Sequence, residues 1–121
     1  METLGLVFAG SATDRRPEMA RFAAEVLGLE PAPAGGVGAD MFALPDGAFF
    51  AVAGPRDAKR GDTSRTIGFL VADLDAAAAE LRAAGVEVGE PAANEPAANE
   101  RHRYVHFRAP DGKLYELVEE R

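Results

Sequence analysis

Tyr104-Val105-His106-Phe107-Arg108-Ala109-Pro110-Asp111-Gly112-Lys113-Leu114-Tyr115-Glu116-Leu117-Val118 is the stretch that decides the fold of this chain. Two runs of β-branched, aromatic and aliphatic residues flank Pro-Asp-Gly. The proline presets one backbone angle and the glycine accepts a positive φ, so the stretch reads as a β-hairpin. Side chains alternate along each arm. If Glu116 faces one side of the sheet, the cross-strand positions bring Tyr104 and His106 to that side as well.

Upstream, Thr66-Ile67-Gly68-Phe69-Leu70-Val71 is a short apolar run of strand formers. Asp73 then offers an N-cap, and Leu74, Ala77, Ala78 and Leu81 share one helical stripe that Gly85 ends. Val86-Glu87-Val88 is a further short strand. The following segment holds Glu-Pro-Ala-Ala-Asn twice, at 90–94 and 95–99, where Pro91 and Pro96 exclude a helix interior and a central strand. It reads as an expanded loop.

The first half repeats this order. A strand is expected near Leu6 to Ala12, then a helix with Pro17 in its first turn, Met19, Phe22, Ala23 and Val26 on one stripe, and Gly28 as its end. Pro31 to Gly38 is rich in Pro and Gly. Met41-Phe42-Ala43-Leu44, a second turn at Pro45-Asp46-Gly47, and Ala48-Phe49-Phe50-Ala51-Val52 complete another hairpin. The duplication predicts a single α+β domain over 1–121, with one module at 4–54, a polar linker at 55–65 and a second module at 66–121. Each module would carry one helix on the back of a mostly antiparallel sheet, and two such sheets side by side leave a curved front.

Composition bounds the chemistry. The chain has 121 residues, 47% apolar and 27% charged, a globular balance for one domain. It lacks cysteine, which removes disulfides, thiolate metal sites and thiol nucleophiles together. A net charge of −7 works against nucleic-acid backbones and anionic membranes. Basic residues gather at Arg15-Arg16, Arg56 to Arg65 and Arg101-His102-Arg103, which read as solvated loops. Met1-Glu2-Thr3-Leu4-Gly5 lacks a basic segment followed by an apolar run, so the expected location is cytoplasmic.

The hairpin, together with Val26-Leu27-Gly28-Leu29-Glu30, Phe69-Leu70-Val71-Ala72-Asp73-Leu74-Asp75 and Leu81-Arg82-Ala83-Ala84-Gly85-Val86, resembles the vicinal oxygen chelate superfamily. That superfamily includes glyoxalases, bleomycin-resistance and fosfomycin-resistance proteins, and extradiol dioxygenases. The resemblance implies paired βαβββ modules whose sheets form a cup with helices outside, a homodimer, and metal ligands on the first and last strands of each module. Carried over by position, the last-strand ligand of the second module falls on Glu116 and that of the first on Ala51. The first-strand positions fall on Thr66 and Phe8. One carboxylate is too few for a metal that activates a substrate, so no metal and no other cofactor are expected.

The resemblance and the alternation together make Tyr104, His106, Glu116, Phe8, Met41, Phe49, Thr66, Leu70 and Leu114 the candidate ligand-binding residues, with Gly68 and Val118 beside them. Phe42, Phe50, Ile67, Phe69, Phe107 and Leu117 are expected under the helices. The leading expectation is metal-independent binding of a small, partly apolar or aromatic molecule. The alternative is a lyase, isomerase or dioxygenase-type enzyme with Glu116 and His106 as its catalytic acid/base groups, or with a metal site that the sequence does not reveal.

Overall fold

The computed structural model describes residues 1–32, 39–54, 65–93 and 102–120. The first module runs β1 (Gly5–Ala12), α1 (Arg16–Glu25), β2 (Glu30–Pro31), β3 (Ala39–Ala43) and β4 (Phe49–Ala53). The second runs β5 (Arg65–Leu70), α2 (Leu74–Ala83), β6 (Glu87–Val88), β7 (Ala92–Ala93), β8 (His102–Arg108) and β9 (Leu114–Glu120). The expected pair of sheets is one continuous nine-stranded sheet, ordered β2-β3-β4-β1-β5-β9-β8-β6 with β7 also on β8. The modules merge because β1 and β5 pair antiparallel along most of their length.

The second module follows its sequence closely. The Asp73 carboxylate accepts from the backbone N–H of Ala76 at 3.0 Å, the N-cap that its short acidic side chain permits. Glu119 reaches back from β9 and accepts from the N–H of Leu74 at 2.8 Å, satisfying a second orphan donor of α2. Leu74, Ala77 and Ala78 are buried in one cluster with Val71, Val105 and Leu117, and Leu81 packs beside them. Gly85 ends the turn at φ +84°, a conformation that side chains with a Cβ avoid.

The first module departs from its sequence in two places. Helix α1 stops at Glu25, short of Gly28, and its buried side is Ala23, with Met19, Ala20 and Ala24 packed around Phe42 and Val52. Phe22 and Val26, expected on that stripe, are 44% and 69% exposed. The alanines win because a close helix-to-sheet approach admits small side chains and turns the bulky ones outward. No side chain caps α1; the Thr13 hydroxyl accepts instead from the N–H of Arg15 at 3.0 Å.

Two further differences concern single positions. Ile67 faces the helix side of the sheet but is 41% exposed, because it lies on a central strand between the two helix-covered clusters. Arg65 opens β5, so the strand begins at the last residue expected in the linker, one before the expected start of the module; residues 55–64, and the second Glu-Pro-Ala-Ala-Asn copy at 95–99, lie outside the described residues. The first copy contributes the two-residue strand β7, at the rim, where its neighbouring Pro91 costs no interior ladder bond.

Candidate functional site

Both hairpins turn in the same way. At 45–47 the Asp46 carboxylate accepts from the N–H of Ala48 at 2.9 Å, and Gly47 has φ +90°; at 110–112 Asp111 accepts from Lys113 at 3.0 Å, and Gly112 has φ +82°. These turns fix the register of β3 on β4 and of β8 on β9. Met41 then pairs with Ala51, and His106 with Glu116.

The registers across the sheet lay out one face row by row. Phe49 pairs with Phe8, Phe8 with Gly68, Gly68 with Glu116 and Glu116 with His106. A second row joins Met41, Ala51, Gly10 and Thr66. A third joins Leu70, Val118 and Tyr104, and Leu114 pairs with Arg108. Directly paired residues point the same way, so every candidate named from the sequence lies on the face away from the helices, the inside of the cup.

The rows also reveal a local two-fold relation about the Ala9–Ile67 pair. It exchanges Phe8 with Thr66, Gly10 with Gly68, Ala51 with Glu116 and Met41 with His106. The equivalences that the resemblance implies, Ala51 with Glu116 and Phe8 with Thr66, are related by this two-fold. The residue directly beside Glu116 on β5 is Gly68, however, with Thr66 two positions along.

Glu116 is the only buried charged residue among those described, at 8% exposure. His106 Nε2 lies 3.0 Å from its Oε2, and the two form an ion pair when the imidazole is protonated. The Tyr104 ring stands edge-on to His106, with centroids 5.5 Å apart and planes at 76°. This puts a carboxylate, an imidazole and an aromatic ring in one strip of the cup.

Across the strip the cup is apolar. The Phe8 ring lies over Gly10, where a Cβ would meet its Cε2 and Cζ at 3.1 Å. At Gly68 a Cβ would come 2.9 Å from the Phe8 Cβ and 3.1 Å from Val118 Cγ2. Glycine at both places lets side chains close over the floor of the cup. Gly10 and Arg108 belong to this face but were not singled out from the sequence. Alternation from His106 reaches Arg108, whereas placing Gly10 needs the β1–β5 register. The Arg108 guanidinium turns to the rim, donating to the carbonyl of Gly112 at 2.6 Å and lying 3.8 Å from Glu87.

The residues do not fit the metal that the resemblance implies. The four symmetric positions hold Phe8, Thr66, Ala51 and Glu116: one carboxylate, one weak hydroxyl and two side chains with no donor. His106 adds an imidazole, and the set still falls short of a stable first-row metal site. Among the described residues no three His, Asp or Glu side chains come together.

Away from the cup, a shallow groove runs between α1 and the β2–β3 edge, bordered by Ala20, Arg21, Ala24, Glu25, Pro31 and Asp40. Its charged groups serve the surface, Arg16 beside it pairing with Asp40 at 2.8 Å. The convergent polar chemistry is in the cup. At the rim, the Tyr115 hydroxyl donates to Asp111 at 2.7 Å. That bond, with the Lys113 N–H, holds the Asp111 carboxyl below its usual range and pushes the Tyr115 phenol up.

The family model described as Glyoxalase/Bleomycin resistance protein/Dioxygenase superfamily matches residues 6–117. No curated protein sequence matches the chain. Among solved structures it is similar to methylmalonyl-CoA epimerase from Mycobacterium tuberculosis, at 25% identity and a TM-score of 0.73 over 98% of this chain and 89% of that one. It is also similar to a variant of Streptomyces coelicolor methylmalonyl-CoA epimerase in complex with 2-nitronate-propionyl-CoA, at 20% identity and 0.71 over 98% and 99%. A hypothetical protein from Bacillus halodurans C-125 follows, at 16% identity and 0.72 over 96% and 94%. The latter two likenesses concern the fold.

Proposed function

Because the chain belongs to the glyoxalase/bleomycin resistance protein/dioxygenase superfamily, we propose that it binds a small, partly apolar or aromatic molecule in the cup without a metal. The observation that carries this reading is the composition of the central strip: one polar pair, the buried Glu116 with the half-buried His106, facing Phe8, Phe49 and Tyr104. A few placed polar groups on an otherwise apolar concave face are the general profile of a small-molecule site. The polar pair would orient the ligand and the aromatic residues would hold its body. Cytoplasmic location and a homodimer complete the proposal.

Native mass spectrometry of the freshly purified protein, with elemental analysis of the same sample, tests this reading. We expect an adduct of small-molecule mass, or its recovery on adding extract, with less than one divalent ion per ten chains. A stoichiometric, tightly held metal lost on Glu116→Gln would overturn it.

A second reading is favoured by the 3.0 Å contact of His106 with Glu116 and by the likeness to the mycobacterial epimerase. In it the pair transfers a proton on a bound substrate, as an isomerase or lyase requires, with one group accepting the proton and the other returning it. A dioxygenase is less well served, because the residues in the cup do not fit an iron site.

A further inference from the structure

We infer that the ligand of the cup presents a hydrogen-bond donor, an N–H or O–H on a planar aromatic body, to the Glu116 carboxylate, and that the cup rejects ligands whose polar end is a carboxylate. This rests on the binding reading above and says which chemistry it selects.

The argument begins with an imbalance. An ionised carboxylate has two oxygens and about four acceptor positions, and a buried one normally receives several donors. The Glu116 side chain is nine-tenths buried, yet among the described residues its one polar neighbour is the His106 imidazole, at Oε2. No backbone N–H and no Arg, Lys, Ser, Thr or Tyr group donates to it among those residues. The neighbouring carboxylate of Glu119 shows the contrast, accepting from Leu74 N–H and lying 3.6 Å from Arg103. Leaving Oε1 without a donor in a half-dry site is unfavourable, and a ligand that supplies one gains that energy on binding.

The surroundings decide the rest of the ligand. Gly68, directly beside Glu116, adds no side chain, and the next residue in the row is Phe8, whose ring edge lies over Gly10. A planar ring laid on Phe8 would bring a substituent at its edge toward the Glu116 carboxylate. A carboxylate substituent there would set two acceptors against each other with no Lys or Arg between them among the described residues, because the Arg108 guanidinium is engaged at the rim.

The test uses four probes of one size, benzamidine and phenol as donors, benzoate as an acceptor only, and anisole with no donor, titrated into 15N-labelled protein and followed by amide shifts. Benzamidine and phenol should shift the amides of Phe8, Gly68 and Glu116 with at least tenfold higher affinity than benzoate or anisole. In Glu116→Gln, which keeps shape and removes charge, benzamidine should lose at least tenfold and benzoate should gain. The dispersed spectrum of the variant confirms its fold. Equal binding of all four probes at these amides would overturn the donor inference and leave the binding cup standing. Shifts confined to amides elsewhere, or none with any probe, would overturn the binding cup and the inference with it.

Discussion

The two modules are related by a local two-fold, yet they divide the work unequally. Among the described residues, six are buried in one cluster around α2, whose start is capped by both Asp73 and Glu119, and three around α1, whose start no side chain caps. On the cup face the second module keeps His106 and Glu116 where the first has Met41 and Ala51. The half that carries the polar pair is thus also the better anchored half. A buried carboxylate is costly, and a hairpin packed by Val105 and Leu117 against α2 can hold it in place. The other module is free to supply an apolar wall.

Making the modules alike on the cup face should give the largest effect. Ala51→Glu places a second carboxylate at the equivalent of Glu116, where Ala51 is buried and its neighbour is Met41. An uncompensated buried charge costs roughly 3–5 kcal/mol, so the urea midpoint should fall sharply at pH 7. Adding Met41→His rebuilds the pair and should recover part of the loss. If Ala51→Glu alone were as stable as the parent, the first module's cup face would be open to water, contrary to its burial.

A subtler comparison uses the two glycines. At Gly68 an added Cβ meets the Phe8 Cβ at 2.9 Å, an atom fixed to the backbone, together with Val118. Overpacking of this kind costs about 1–3 kcal/mol, and Gly68→Ala should lose stability on that scale. At Gly10 the same methyl meets the far edge of the Phe8 ring, which can swing aside, and Thr66 Cβ only at an ordinary 4.0 Å. There, replacing a strand glycine reduces the entropy of the unfolded chain, so Gly10→Ala should be neutral or stabilising by up to about 1 kcal/mol. Equal losses at both sites, measured by denaturant unfolding, would mean that Phe8 does not lie as described.

How much of this the sequence revealed depends on the range of the interaction that decides it. The hairpins, the Asp73 cap and the pairing of His106 with Glu116 are local: turn chemistry and alternation within about 15 residues set them, and they are legible. The face of α1 is not. Phe22 and Val26 have the right spacing for a buried stripe, and only the close approach of the sheet at Ala23 selects the alanines. That Gly68 is the neighbour of Glu116 on β5 is not legible either, because that register joins segments far apart in the chain. The strands β2 and β7, two residues each, are too short for any period to announce them.

The smallest effect is expected at the turns, where one of the differences between the modules is a single hydroxyl. Tyr115 follows the second turn as Phe50 follows the first, and its phenol donates to Asp111 at 2.7 Å where Phe50 offers Asp46 nothing. Tyr115→Phe gives both turns the same ring at this position and should lower the melting temperature only slightly, because the bond is exposed. Its pH dependence is more telling than its size. The depressed Asp111 carboxyl contributes stability above its unfolded value, and that contribution disappears as pH falls through the folded one. The raised Tyr115 phenol contributes below its unfolded value, and loses that contribution as pH rises through the folded one. The difference in stability between parent and Tyr115→Phe should therefore be greatest between about pH 5 and pH 9 and shrink toward both extremes. A difference that failed to shrink beyond that range on either side would mean that the bond to Asp111 is not what the hydroxyl contributes, since the phenylalanine ring keeps the stacking with Phe69 and Phe107.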